Sequence, residues 1–181
     1  MLTGAAYGGL EVRAEDDGSV RLSGRFPYGE PADLAPGRSE VFAAGSLEPR
    51  GNVYLLSQHR FETPLASSGA GTLELRSDDS GLSFEARLSA EVAGTSHGRD
   101  ALALIRSGLA VGLSPGFRVP AGGERVERSA NGVMRTVTRA ELHELSIVTR
   151  PAFEAAQVEA RSWEASGQID HQPRPAAWRW R

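Results

Sequence analysis

Val53-Tyr54-Leu55-Leu56-Ser57-Gln58-His59 is the most strand-like run in the chain. Branched, aromatic and aliphatic side chains follow one another without a charge, as in a buried strand, and the run stops at a polar Ser-Gln-His. A histidine at that point is held at the rim of a sheet. Towards the N-terminus, Leu10, Val12 and Ala14 alternate with Glu11 and Arg13. Glu15-Asp16-Asp17-Gly18 then reads as a solvated turn rather than a metal site, and Val20, Leu22 and Gly24 resume the alternation. This is a β-hairpin pattern. Residues 28–38, with Pro31 and Pro36, read as a loop, and Val41 to Leu47 as a short apolar segment.

Towards the C-terminus, Thr72, Leu73 and Leu75 begin a second hairpin. It turns at Asp78-Asp79-Ser80-Gly81 and returns through Leu82, Phe84, Ala86 and Leu88. The period then changes. Ala101, Leu102, Leu104 and Ile105 are spaced for a helix over Arg99 to Ser107, starting near Ser96 or His97 and stopping at Gly108. Short strands, Val111 to Leu113 and Phe117 to Val119, flank Ser114-Pro115-Gly116. Ala121 to Gly132 is polar and Gly-rich and reads as a mobile loop or a long hairpin tip. Val133 to Val137 and Leu142 to Val148 are the last strands, closed off by Pro151. Many short strands with one clear helix predict a mainly β fold, a closed or sandwich-like barrel.

The 181 residues suit one domain with a tail. Residues 1–161 read as the domain. Residues 162–181, aperiodic and ending Trp178-Arg179-Trp180-Arg181, read as a disordered tail. No apolar run reaches membrane-spanning length, and the first nine residues carry no secretory pattern. The 20 basic and 23 acidic side chains give a net charge of -3 and no footprint for specific nucleic-acid binding.

The chain has no cysteine, which excludes disulfides, thiolate metal sites and a cysteine nucleophile. It has no lysine either, so Schiff-base and Ser-Lys chemistry are excluded. Its four histidines, His59, His97, His143 and His171, show no metal-ligand spacing, and no metal or cofactor is expected. Nucleophilic work therefore falls to a serine or threonine, and a serine nucleophile would need one of these histidines as its base. Ser114 follows Leu109-Ala110-Val111-Gly112-Leu113 and precedes Pro115-Gly116, and small residues on both sides let a substrate backbone approach. No Gly-x-Ser-x-Gly elbow surrounds it, which argues against an esterase of that kind. His97 reads as a residue of the helix start and His171 as part of the solvated tail.

Four segments in order resemble the prohead maturation proteases of tailed phages. They are Val53 to His59, Gly98-Arg99-Asp100 opening the helix, Val111-Gly112-Leu113-Ser114-Pro115-Gly116-Phe117, and Glu144-Leu145-Ser146-Ile147-Val148-Thr149-Arg150-Pro151-Ala152. Leu22-Ser23-Gly24-Arg25-Phe26 and Ala44-Gly45-Ser46-Leu47 add to the likeness, which spans Leu10 to Arg161. The resemblance implies a small closed β-barrel with a few helices, similar to the herpesvirus assemblins. It also implies Ser114 as nucleophile, His59 as base and Glu144 as third member. His143 and Glu141 remain rivals for that third place, and strand alternation sets those two on one face and Glu144 on the other. Pro115 departs from the pattern by removing an N–H beside the nucleophile, so oxyanion donors are expected from Gly116, Phe117 or Thr149-Arg150.

The expected activity is cleavage of the major capsid protein, its scaffold segment and the protease itself, inside the procapsid in the host cytoplasm. Self-association as a homodimer is expected, without a membrane. The alternative is an inactive assembly or scaffolding factor that keeps the fold.

Overall fold

In the computed structural model, residues 10–110, 112–130 and 132–149 are described. The expected tail, the N-terminal nine residues and Pro151 lie outside them. The first hairpin forms as β1 (Glu11–Ala14) and β2 (Val20–Pro27). The segment expected as a loop instead carries β3 (Ala32–Ala35), which pairs with β4 (Arg38–Phe42) through a bulged antiparallel register. β5 (Leu47–Ser57) contains the opening strand and turns directly into β6 (Arg60–Ser67), an element with no clear period in the sequence. The second hairpin is β7 (Leu73–Asp78) and β8 (Gly81–Leu88).

Two helices follow, α1 (Ala90–Gly94) and α2 (Ser96–Arg106). The N-cap of α2 is Thr95, whose hydroxyl accepts the Gly98 N–H at 3.0 Å, one residue ahead of the expected start. β9 (Gly112–Arg118) runs unbroken through Ser114 and Pro115. The segment expected as a mobile loop or a long hairpin tip takes the hairpin form, β10 (Glu124–Ser129) paired with β11 (Gly132–Val137), and β12 (Ala140–Val148) completes the described chain.

The strands form three four-stranded sheets, in the orders β1-β2-β8-β7, β10-β11-β4-β3 and β6-β5-β12-β9. None closes on itself, which corrects the expected closed barrel. Closure needs a hydrogen-bonded ladder between edge strands, and here the sheets meet through side chains instead. Phe26 of β2, Phe42 of β4 and Phe117 of β9 make two edge-to-face contacts, at 5.2 and 5.0 Å between centroids, so one row of rings touches all three sheets. Gly24 of β2 makes a further junction. A Cβ there would lie 2.7 Å from the Phe84 ring and 3.2 Å from Leu113, so only glycine lets β9 approach this closely.

One core results. From the third sheet, Val53, Leu55, Leu113, Leu145 and Ile147 enter it, against Leu22, Leu82, Phe84 and Leu88 of the first. Leu56 and Val148 are buried yet lie outside that cluster, on the opposite face of their sheet. That opposite face carries the candidate site residues.

Candidate active site

β12 lies between β5, to which it runs parallel, and β9, to which it runs antiparallel. Two rows of neighbours cross these strands. Leu56, Ser146 and Ser114 form one, and Tyr54, Glu144 and Gly116 form the other. Residues directly opposite share a face, and so do residues two apart on a strand. Ser114, Ser146 and Glu144 therefore project together, although Ser114 and Glu144 come from different strands.

A bulge makes this possible. Leu142 pairs with Phe117 and Glu144 with Gly116, which leaves His143 as the extra residue. Before the bulge, Ala140 and Leu142 point into the core; after it, Leu145 and Ile147 do. One inserted residue has moved the core-facing positions from even to odd numbers. Unbroken alternation would drive Glu144 and Ser146 into the hydrocarbon core. With the bulge they reach the other face, His143 is left exposed, and Glu141 sits on the same side as Glu144. The alternation expected from sequence is thus corrected. Glu141 is engaged elsewhere, with Arg118 at 3.0 Å.

His59 arrives from the other side. Ser57 pairs with Arg60, so Gln58 and His59 form a two-residue hairpin loop. Both have positive φ, 56° and 59°. This is the φ pattern of a type I′ turn, a place where Asn-Gly is usual and longer side chains are strained. The Gln58 N–H donates to the Ile147 carbonyl at 3.0 Å, which ties the turn to β12. The imidazole then lies over Glu144, with Nδ1 2.6 Å from Oε1. A neutral histidine facing a carboxylate places its proton on Nδ1 and its lone pair on Nε2.

Gly116 makes room for that carboxylate, since a Cβ there would stand 2.1 Å from Glu144 Oε1. Ser114 and Glu144 are 1% and 5% exposed. Ser114 Oγ is buried and makes no hydrogen bond among the described residues. Pro115 is accommodated because β9 is an edge strand. Of the expected oxyanion sources, Arg150 lies outside the described residues.

The structure therefore brings His59 and Glu144 into contact and sets Ser114 on the same sheet face. It leaves His143 in solvent and His97 on α2, and His171 lies outside the described residues. Among the described residues, no group of three or more His, Asp or Glu is placed to hold a metal, and no helix is long and apolar enough to cross a membrane.

The sequence reading missed Ser146. Its hydroxyl donates to Glu144 Oε2 at 2.6 Å and accepts the His59 backbone N–H at 3.1 Å. The signal was the Glu-x-Ser spacing, which on a strand puts two polar side chains on one face.

A model of the caudovirus prohead serine protease family matches residues 9–169. The chain belongs to this family. No curated protein and no solved structure matches it. As a prohead serine protease it is a viral hydrolase of capsid maturation, and the family implies capsid and scaffold proteins as substrates.

Proposed function

We propose that this prohead protease is a serine endopeptidase in which Ser114 is the nucleophile, His59 the general base and acid, and Glu144 the group that orients His59. Its substrates are the scaffold or N-terminal segment of the major capsid protein, and finally its own chain, inside the procapsid. The observation that carries this reading is the 2.6 Å contact between His59 Nδ1 and Glu144 Oε1, on the sheet face that also bears Ser114.

Ser114 Oγ attacks the scissile carbonyl carbon while His59 Nε2 takes the hydroxyl proton. The resulting imidazolium is stabilised by the Glu144 carboxylate and returns the proton to the leaving amine. Water then adds to the acyl-serine with His59 again as base, and the C–O bond to Ser114 breaks as the imidazolium returns that proton to Ser114 Oγ. The nucleophile lies in a dry setting, where fixed charges act more strongly than in water. Pro115 offers no N–H, so the tetrahedral oxyanion takes its donors from other backbone, with Gly116 and Phe117 next along the chain and Thr149-Arg150 the other candidates. Confinement with concentrated substrate lets weak affinity suffice. Self-association as a homodimer belongs to the same reading and is measured by sedimentation.

The test is co-expression with the cognate capsid protein, followed by intact-mass measurement. The wild type is expected to shorten the capsid protein, and Ser114→Ala to leave it whole. An uncut capsid protein beside folded wild type overturns the protease reading. Cleavage that survives Ser114→Ala overturns the choice of nucleophile.

A further inference from the structure

We infer that Ser146 is a positioning residue of the catalytic centre, locking the His59 turn and the Glu144 carboxylate into one rigid unit. The inference rests on the reading of His59 and Glu144 as base and orienting acid. Ser146 is 0% exposed, so its hydroxyl has no solvent to fall back on and must be satisfied within the protein. It is satisfied twice, and both times by the machinery. The proton goes to Glu144 Oε2 at 2.6 Å, and a lone pair receives the His59 N–H at 3.1 Å. Glu144 Oε1 meanwhile holds His59 Nδ1 at 2.6 Å. The three contacts form a closed ring, from the His59 main chain through Ser146 and Glu144 to the His59 imidazole.

That ring does two things. It fixes the carboxylate rotation, because each oxygen has its own donor, so Oε1 is always presented to the imidazole. It also offsets the strain of the left-handed His59, since the N–H of a residue at φ 59° is captured by a side chain of the central strand. The imidazole is thereby set relative to β12. Ser114, the cross-strand neighbour of Ser146, is set relative to the same strand. Base and nucleophile share one reference, which is what orientation-sensitive proton transfer requires.

The experiment compares Ser146→Ala and Ser146→Cys with wild type. The substrate is a peptide spanning the junction that mass spectrometry identifies in the processed capsid protein. Ser146→Ala is expected to lower kcat about tenfold or more with KM within about twofold. Cys, a similarly sized but weaker donor, is expected to fall between. In proton NMR the low-field His59 Nδ1–H resonance should shift or broaden in both variants while their melting stays cooperative. Should Ser146→Ala fail to fold, Ser146→Cys decides alone by the same readouts. Wild-type kcat with an unmoved resonance overturns the inference, and so does a loss confined to KM. A wild type that cuts nothing overturns the protease reading instead, and the resonance then decides the ring on its own.

Discussion

Glu144→Gln keeps the shape of the side chain and removes the charge facing His59 Nδ1. Its amide can also present an N–H where the imidazole needs an acceptor, which favours the wrong tautomer. The expected result is a fall in kcat of about 10²- to 10⁴-fold in a peptide-cleavage assay. The adjacent His143→Ala removes an exposed ring from a bulge and should leave kcat within about twofold. If His143→Ala abolishes turnover and Glu144→Gln does not, the assignment of the third group is wrong. In the sequence Glu144 is the preferred third member, with His143 and Glu141 as its rivals. What separates Glu144 from His143 is the bulge, and a bulge is a property of two strands: it appears only when Leu142 and Glu144 are matched to Phe117 and Gly116 of β9. The composition of β12 alone carries no mark of it. His59 and Ser114 are proposed on the order of four family-like segments, with the short apolar run that each ends or centres as local support. Ser146 carries no legible role in the sequence, because a serine in a strand says nothing until its neighbours are known.

Among the elements, the β5–β6 turn stands out. Two consecutive non-glycine residues hold φ near +60°, which costs roughly 1–2 kcal/mol each against right-handed backbone. Asparagine tolerates that region better than glutamine. Gln58→Asn should therefore raise the urea midpoint at constant slope, with a gain of up to about 1 kcal/mol. A lower midpoint would show that the Gln58 side chain makes a contact worth more than the strain. The turn was invisible beforehand, because Gln-His is not the Asn-Gly or Asp-Gly that marks such loops in sequence. β3 and β10 were hidden for related reasons, since prolines, charges and glycines obscure strands whose pairing comes from neighbours. The hairpins β1–β2 and β7–β8 were plain, because acidic Gly-containing turns separate strictly alternating arms.

At the scale of the molecule, one ion-pair cluster lies in the second sheet, apart from the strands of the candidate site. Arg135 of β11 is 1% exposed and reaches Glu40 of β4 at 2.7 Å and Glu124 of β10 at 2.6 Å. Its guanidinium spans three adjacent strands. Arg135→Ala would leave the 4%-exposed Glu40 without that guanidinium and should destabilise the fold by about 3–5 kcal/mol, read from denaturant unfolding. A change below about 1 kcal/mol would mean that the carboxylates find other company or protonate. The class of fold, mainly β with helical punctuation, follows from short alternating runs and is legible. Whether such strands close into a barrel depends on which edges meet, and periodicity does not encode that. Here the Phe26-Phe42-Phe117 row does the joining that edge hydrogen bonds would do in a barrel.

The place of β12 also governs timing. It is the last described strand, yet it sits between β5 and β9, which precede it in the chain and do not pair with each other. Until residues 140–148 leave the ribosome and insert, His59, just beyond β5, and the proposed nucleophile Ser114 on β9 have no strand between them. Such long-range pairing closes late and slowly. On the proposed assignment, His59 and Ser114 gain a common frame only when this central strand inserts, so activity begins no earlier than that step, a delay written into the order of strands.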